Sequence, residues 1–262
     1  MPSHSTIDQM GQLVFVPAKP KRIVSLVPSQ TELLAALGLD DEVVGITRFC
    51  IEPPSWRKTK KIIGGTKRFN VEEISKLNPD LILGNKEEND QAGIEWLRER
   101  FTVWMSDVKT YEDALAMIQS VGLLTDKEAE ASRLIHAIKH NIQGIRSSLN
   151  IRVLYLIWRD PWMGVGCDTF IHSMIRKAGF SNCLEPLQRY PQLTESQMQS
   201  FHPDYVFLSS EPFPFNETHI QELKRLLPDS QIVLVDGAAF SWYGSRMLYF
   251  ADYINQLRIR LT

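Results

Sequence analysis

Apolar positions along this chain fall into short, near-continuous β-branched runs separated by longer stretches at three-to-four spacing. Arg22-Ile-Val-Ser-Leu-Val27 and Arg152-Val-Leu-Tyr-Leu-Ile157 are runs of buried-strand length with the same opening. Asn78-Pro-Asp-Leu-Ile-Leu83 closes a helical pattern and opens a strand, and His202-Pro-Asp-Tyr-Val-Phe-Leu208 does the same about 120 residues later. Thr102 to Asp107 and Ile232 to Asp236 are each a short strand ending in aspartate. Three matched landmarks in one order predict two similar lobes. Strands apolar on both faces, alternating with helices, indicate parallel sheets covered on both sides, so each lobe is expected to be a Rossmann-like α/β layer structure.

Helix starts are expected at Ser29-Gln-Thr-Glu32, Thr125-Asp-Lys-Glu128 and Thr194-Glu-Ser-Gln197, which have capping-box spacing, with Asn70 and Thr169 as further caps. Gly38, Gly179 and the prolines after Asn78 and His202 mark helix ends. Between the lobes, Asp126 to Leu149 lacks proline and carries Leu134, Ile138, Ile142, Ile145 and Leu149 as a stripe. This predicts one connector helix of about 36 Å, stiff enough to limit how far the lobes can swing. The expected organisation is an N-terminal α/β lobe over 13–110, a helical connector over 111–150 and a C-terminal α/β lobe over 151–262. A last helical pattern covers Ser245 to Leu257.

With 44% apolar and 23% charged residues, the 262-residue chain excludes overall disorder. A net charge of −2 without long basic runs excludes the electrostatic footprint of nucleic-acid binding and favours a small-molecule or protein partner. Cys50, Cys167 and Cys183 form no CxxC pair and allow at most one disulfide, with pairing of Cys167 and Cys183 left open. No apolar run reaches membrane-helix length, and the first twelve residues lack a secretory-signal pattern.

Ligands of open α/β sheets bind beyond the carboxyl ends of the strands. In the first lobe those ends offer Ser25 to Gln30, Arg48-Phe49-Cys50, Gly64-Gly65-Thr66, Asn85-Lys86-Glu87 and Ser106-Asp107. In the second they offer Trp158-Arg159-Asp160-Pro161-Trp162, Arg189-Tyr190, Ser209 to Phe215, and Phe240-Ser241-Trp242-Tyr243. Three of the six tryptophans fall in the second set, which suits a flat, partly apolar ligand, although some of these rings are expected only to cap the sheet. Arg159 and Arg246 flank the same loops; each could meet a carboxylate or phosphate, stack on a ring, or pair structurally with Asp160 or Asp236. No dinucleotide, P-loop or nucleophile-elbow motif is present, so no catalytic constellation is expected. His136 and His140 have metal-pair spacing but no evident third ligand, and read as a solvated helix face.

The run Pro20-Lys-Arg-Ile-Val-Ser-Leu-Val-Pro-Ser-Gln-Thr-Glu-Leu-Leu-Ala-Ala-Leu-Gly38 resembles the opening of the helical-backbone (class III) substrate-binding proteins of ABC importers. Val43-Val-Gly-Ile-Thr47, the Gly64-Gly65 turn leading to Asn70-Val-Glu-Glu73, Leu77-Asn-Pro-Asp-Leu-Ile82, Thr169-Phe-Ile running to Ala178-Gly179, Arg189-Tyr-Pro191 and Phe240-Ser-Trp-Tyr-Gly-Ser-Arg246 extend the resemblance over roughly residues 17 to 257. It implies two α/β lobes joined by one long backbone helix, with a ligand cleft between lobes and no enzymatic activity.

Within that family the chain looks most like the cobalamin-binding branch, which implies a corrinoid or related metal chelate as ligand and no intrinsic cofactor. The ligand-binding residues expected are Phe49, Trp158, Arg159, Trp162, Phe240, Trp242, Tyr243 and Arg246. The aspartate and tryptophan that the cobalamin binder carries before the Phe240 position are Ala238 and Ala239 here, so haem and ferric siderophores stay open as ligands. The family docks an ABC permease through one glutamate per lobe: Glu72 matches the first, and Glu195 lies one residue from the second. The resemblance implies a periplasmic location, or the outer face of the inner membrane, and a monomer. The rival expectations are a cytoplasmic protein or enzyme handling a corrinoid, suggested by the start of the chain, and a binder of a bare transition metal.

Overall fold

The computed structural model describes residues 3–145 and 150–261 and divides into two compact α/β units. The first takes in the chain to Val108, Glu112–Ile138 and the short segment Tyr243–Arg246. The second takes in Lys109–Tyr111, Lys139–Trp242 and the chain from Met247 onward. The expected C-terminal lobe is therefore interrupted, since four of its residues pack with the first unit.

The first unit opens with an antiparallel hairpin, β1 (Ser3–Ile7) with β2 (Leu13–Pro17). The sequence had placed no strand here, and the expected lobe began only at residue 13. In β2 Val14 and Val16 are buried while Leu13 and Phe15 face solvent, the alternation of a half-buried strand. Asp8 fixes the turn: its buried carboxylate accepts the N–H groups of Met10 (3.0 Å) and Gln12 (2.8 Å) and meets the Arg98 guanidinium at 2.6 Å.

After the hairpin come β3 (Ile23–Ser25), α1 (Pro28–Ala36), β4 (Val43–Ile46), α2 (Trp56–Thr59), β5 (Lys61–Ile62), α3 (Val71–Lys76), β6 (Leu81–Asn85), α4 (Gln91–Arg98), β7 (Val103–Ser106), α5 (Tyr111–Leu124) and α6 (Glu128–Gln143). The sheet is wholly parallel, in the order β5-β4-β3-β6-β7. Strands β3, β6 and β7 are fully buried, which is why they read as near-continuous apolar runs.

The second unit contains β8 (Arg152–Trp158), β9 (Met163–Gly164), α7 (Phe170–Lys177), β10 (Ser181–Asn182), α8 (Glu195–Ser200), β11 (Tyr205–Ser209), α9 (Glu217–Leu226), β12 (Gln231–Val235), α10 (Gly237–Ser241), a 3-10 turn (Ser245–Tyr249, shared with the first unit) and α11 (Phe250–Leu261). Its parallel order is β10-β8-β11-β12, with β9 antiparallel on β8.

With β5 and β9 set aside, both sheets place their second strand, then first, third and fourth. The duplication extends to atoms. The carboxylate of Asp80 accepts the N–H groups of Lys21 (2.8 Å) and Arg22 (2.9 Å), and its own N–H donates to the Arg22 carbonyl. Asp204 accepts the N–H of Arg152 at 2.7 Å and donates to the Arg152 carbonyl in return. Asn78 and His202, two residues earlier in each copy, share a positive φ of 43° and 46°.

Thr194, Asn70 and Thr169 cap their helices as the sequence indicates, Thr194 with a complete capping box. Two expected caps fail. Pro28 takes the first turn of α1, so its cap position is Val27, which has no side chain to donate an acceptor, and Ser29 is buried inside the helix. Thr125 instead donates its hydroxyl to the Val121 carbonyl at 2.7 Å and closes α5. The described connector is also shorter than expected: Asp126 has φ 59°, α6 begins only at Glu128 and ends at Gln143, and its 16 residues span about 24 Å. Residues 146–149 of the expected helix lie outside the described residues.

Candidate functional site

On the first unit, the loop after β4 places Phe49 half exposed, with the Arg48 guanidinium 5.1 Å from its ring centroid. Both side chains lie close over Gly65, where a Cβ would stand 3.1 Å from the Phe49 ring; the glycine permits this approach. Behind the loop the sheet's carboxyl end is polar. Thr31 donates to Ser25 at 2.8 Å and lies 3.0 Å from the Cys50 sulfur, which Thr47 also meets at 3.2 Å. Burial pushes the Cys50 thiol up despite these hydroxyls. Gln30 donates to Ser106 (2.7 Å) and the Gly84 carbonyl, and Asn85 donates to the same Ser106 hydroxyl at 3.0 Å.

Tyr243 and Arg246 belong to this first unit. The Tyr243 hydroxyl, in a fully buried ring, donates to Glu88 at 3.0 Å, and desolvation raises its pKa well above the ordinary value. Arg246 donates twice to one oxygen of Glu32, at 2.9 and 2.7 Å. Both are expected on the second lobe, Tyr243 facing ligand and Arg246 meeting either ligand or a structural carboxylate. Instead Tyr243 is buried and Arg246 is held by a carboxylate 214 residues away, an ion-pair partner that neither Asp160 nor Asp236 supplies.

On the second unit, the loops after β8 and β11 meet as an aromatic cluster. Trp158 is 40% exposed and touches Phe213 edge-on at 5.4 Å. Phe213 leans on Phe215 at 4.8 Å, and Phe215 stacks on Trp162 at 6.2 Å with planes 9° apart. Arg159 lies 4.4 Å from the Trp162 centroid. Its guanidinium also donates to Glu222, at 2.6 and 3.3 Å, and to Asp160. The Glu222 hydrogen bond first, and then charge, raise the Arg159 pKa against some desolvation. The guanidinium is thus fixed over the indole, with the structural pairing to Asp160 realised and Glu222 as a partner that sequence spacing could not show.

Trp158 therefore offers an exposed ring, whereas Trp162 is buried beneath Arg159. Trp242 is half-buried, and its indole N–H donates at 2.9 Å to Glu211, which also accepts from Ser241 at 2.9 Å. Phe240 departs from its expected ligand-facing place. It is fully buried, edge-on to Tyr155 at 5.3 Å and to Phe250 at 5.6 Å, because α10 turns its ring inward onto the sheet. Phe213 and Phe215 were named only within the Ser209 to Phe215 loop, and no periodic signal marks out their stacking.

Glu72 and Glu195 are both exposed, each in the first turn of a six-residue capped helix, α3 and α8. His136 and His140 are exposed on α6. All three cysteines are free thiols. Among the described residues no group of three or more His, Cys, Asp or Glu side chains could hold a metal ion, and no helix is long and apolar enough to cross a membrane.

Comparison with known proteins agrees with this architecture. An ABC transporter substrate-binding lipoprotein of Bacillus subtilis is 27% identical over 76% of this chain and 67% of its own length. A vitamin B12-binding protein of Pectobacterium carotovorum is 24% identical over 90% of this chain and 88% of its own. The crystal structure of the periplasmic vitamin B12-binding protein of Vibrio cholerae superposes with a TM-score of 0.78 at 22% identity, covering 94% of this chain and 98% of that one. This places the protein among two-lobed binding proteins, gives the cytoplasmic expectation no support and agrees with an extracytoplasmic location. The periplasmic binding protein family matches residues 23–226, and the chain belongs to that family of non-enzymatic transport components.

Proposed function

We propose that this protein captures a corrinoid or closely related metal chelate outside the cytoplasm and delivers it to an ABC permease. The observation that carries the ligand class is the aromatic surface of the second unit: exposed Trp158 backed by Phe213 and Phe215, with Arg159 fixed over Trp162. A ring already braced from behind loses little side-chain freedom on binding, and an apolar face with a cationic edge suits a flat macrocycle bearing polar substituents. Phe49, lying over Gly65, offers an exposed ring on the first unit. The vitamin B12-binding relative that covers most of the chain supports a corrinoid over other flat ligands.

Docking to the permease is assigned to Glu72 and Glu195. Each projects from a short, tightly capped helix and so presents a fixed carboxylate to a basic partner surface. The location follows as the periplasm or the outer face of the inner membrane, and the working form as a monomer.

Titration of purified protein with cyanocobalamin, haem and a ferric siderophore, followed by tryptophan fluorescence, tests the ligand class. Saturable quenching by cyanocobalamin is expected, weakened about tenfold or more in Trp158→Ala, a change of about 1.4 kcal/mol. Response to haem or siderophore alone would reassign the ligand; response to none would overturn the proposal.

A further inference from the structure

The aromatic surface of the second unit is held by a residue that the sequence did not single out. Asn216 caps α9 by accepting the Thr218 N–H at 3.0 Å, and the reciprocal arm of the capping box comes from His219, whose Nδ1 accepts the Asn216 N–H at 3.1 Å. That arm is ordinarily a glutamate or glutamine. Here the acceptor is an imidazole, and its ring stands edge-on to both Phe213 (5.2 Å, 82°) and Phe215 (5.5 Å, 89°). Those two rings in turn brace Trp158 and Trp162. One side chain therefore joins the start of a helix to the whole aromatic cluster.

We propose that neutral His219 is the positioning residue of this aromatic surface, and that its protonation loosens the surface and weakens ligand capture in mildly acidic surroundings. The chemistry is direct. Nδ1 can accept the Asn216 N–H only while it carries no proton; once protonated, two donors face each other. The imidazolium would also sit in the first turn of a ten-residue helix, at the positive end of its dipole. Histidine is the side chain whose charge ordinarily changes between about pH 5 and 8.

The charged groups on the surrounding elements include Glu217, Glu222, Lys224 and Arg225 on α9, Arg159 and Asp160 after β8, Glu211 at the start of the Phe213 loop, and Glu195 on α8. Glu222 and Asp160 hold the Arg159 guanidinium, and Glu211 accepts from Ser241 and Trp242. Glu217 accepts from Gln221 at 2.6 Å, so these groups and Glu217 have partners other than the imidazole.

The effect on capture rests on the ligand reading above, whereas the structural switch does not, so the first readout uses free protein. Tryptophan emission and near-ultraviolet circular dichroism are followed from about pH 8 to 5 in wild type, His219→Gln and His219→Ala, with far-ultraviolet circular dichroism as the folding control. Trp158→Phe supplies the difference spectrum that isolates Trp158. Buried His172, bonded to Asn182, is present in every variant and cancels in the comparison.

Wild type is expected to show one transition with a red shift of Trp158 on acidification. His219→Gln, which keeps an acceptor but cannot titrate, is expected to hold the neutral-pH spectrum throughout, and His219→Ala to show the acid spectrum already at pH 8. An unchanged transition in His219→Gln, or no transition in wild type, would overturn the proposal. Cyanocobalamin affinity should fall several-fold on acidification in wild type and stay level in His219→Gln. No cyanocobalamin binding at any pH, with the spectral transition intact, would sustain the switch and overturn only the ligand reading.

Discussion

The two units share a strand order and differ in what fills the carboxyl ends of their sheets. The third residue after the opening arginine is Ser25 in one copy and Tyr155 in the other, and each is paired in register with the strand of the second landmark, to Leu83 and Phe207 respectively. Ser25 begins a buried hydrogen-bonded network through Thr31, Thr47 and Cys50. Tyr155 begins an edge-to-face aromatic cluster with Phe207 and Phe240, and burial raises its phenol pKa. A duplicated frame has thus diverged at one layer, into a face ordered by directional bonds and a face ordered by ring packing. The first resists change through geometry, the second through volume.

That contrast is open to direct attack. Tyr155→Ala empties a fully buried site and is expected to cost about 3–5 kcal/mol, whereas Ser25→Ala removes one small hydroxyl and is expected to cost about 1 kcal/mol. Denaturant unfolding of both variants measures the ratio; equal losses would break the contrast. The aspartate staples probe what the units have in common. Asp80→Ala removes acceptors for two backbone N–H groups and is expected to destabilise by about 2 kcal/mol, with Asp204→Ala, which serves one, losing about half as much.

The smallest effect is expected on the surface of the first unit. Hydrogen bonds from Lys61 and then Lys76 hold the Glu73 carboxyl at about 2 rather than the ordinary 4.5. A carboxylate with a depressed folded pKa contributes stability that is present above about pH 4.5 and fades as the pH falls toward 2. Because the group is partly open to solvent and its lysine partners are exposed, solvent screens the gain. A carboxyl-carbon NMR titration should show the low midpoint, rising toward 4.5 in Lys61→Ala/Lys76→Ala.

Much of the frame was legible because it rests on local pattern. Buried parallel strands must be apolar on both faces, so β3, β6, β8 and β11 announce themselves, as do the Asn-Pro-Asp and His-Pro-Asp turns that carry the staples. The first hairpin was not legible, since its strands are only half apolar and the Asp8 turn is secured by Arg98, 90 residues on. The candidate site was legible as a concentration of aromatics and illegible in its partners. Arg159 finds Glu222 at a separation of 63, and Arg246 finds Glu32 at 214, choices made by the assembled sheet rather than by spacing. Phe240 misled for a related reason: a loop at a strand's carboxyl end predicts exposure, but one turn of helix is enough to rotate a ring into the core. His219 escaped because the capping-box pattern asks for glutamate or glutamine, and an imidazole performs the same office.

The segment Tyr243–Arg246 sets an order of events during synthesis. Gly244, at φ 103°, would place a Cβ 3.3 Å from the Ser29 carbonyl, so the strand of chain lies tight against α1 with Tyr243 and Arg246 reaching Glu88 and Glu32 on either side. These contacts close loops of 155 and 214 residues. On the ribosome, the first unit must wait for residue 246 to emerge before its last side chains arrive, although its sheet is encoded by residue 106. A nascent chain halted at Trp242 would display a formed sheet with Glu32 and Glu88 still lacking these donors, so the earlier-made half is completed only after the second sheet, encoded by residue 235, has been made.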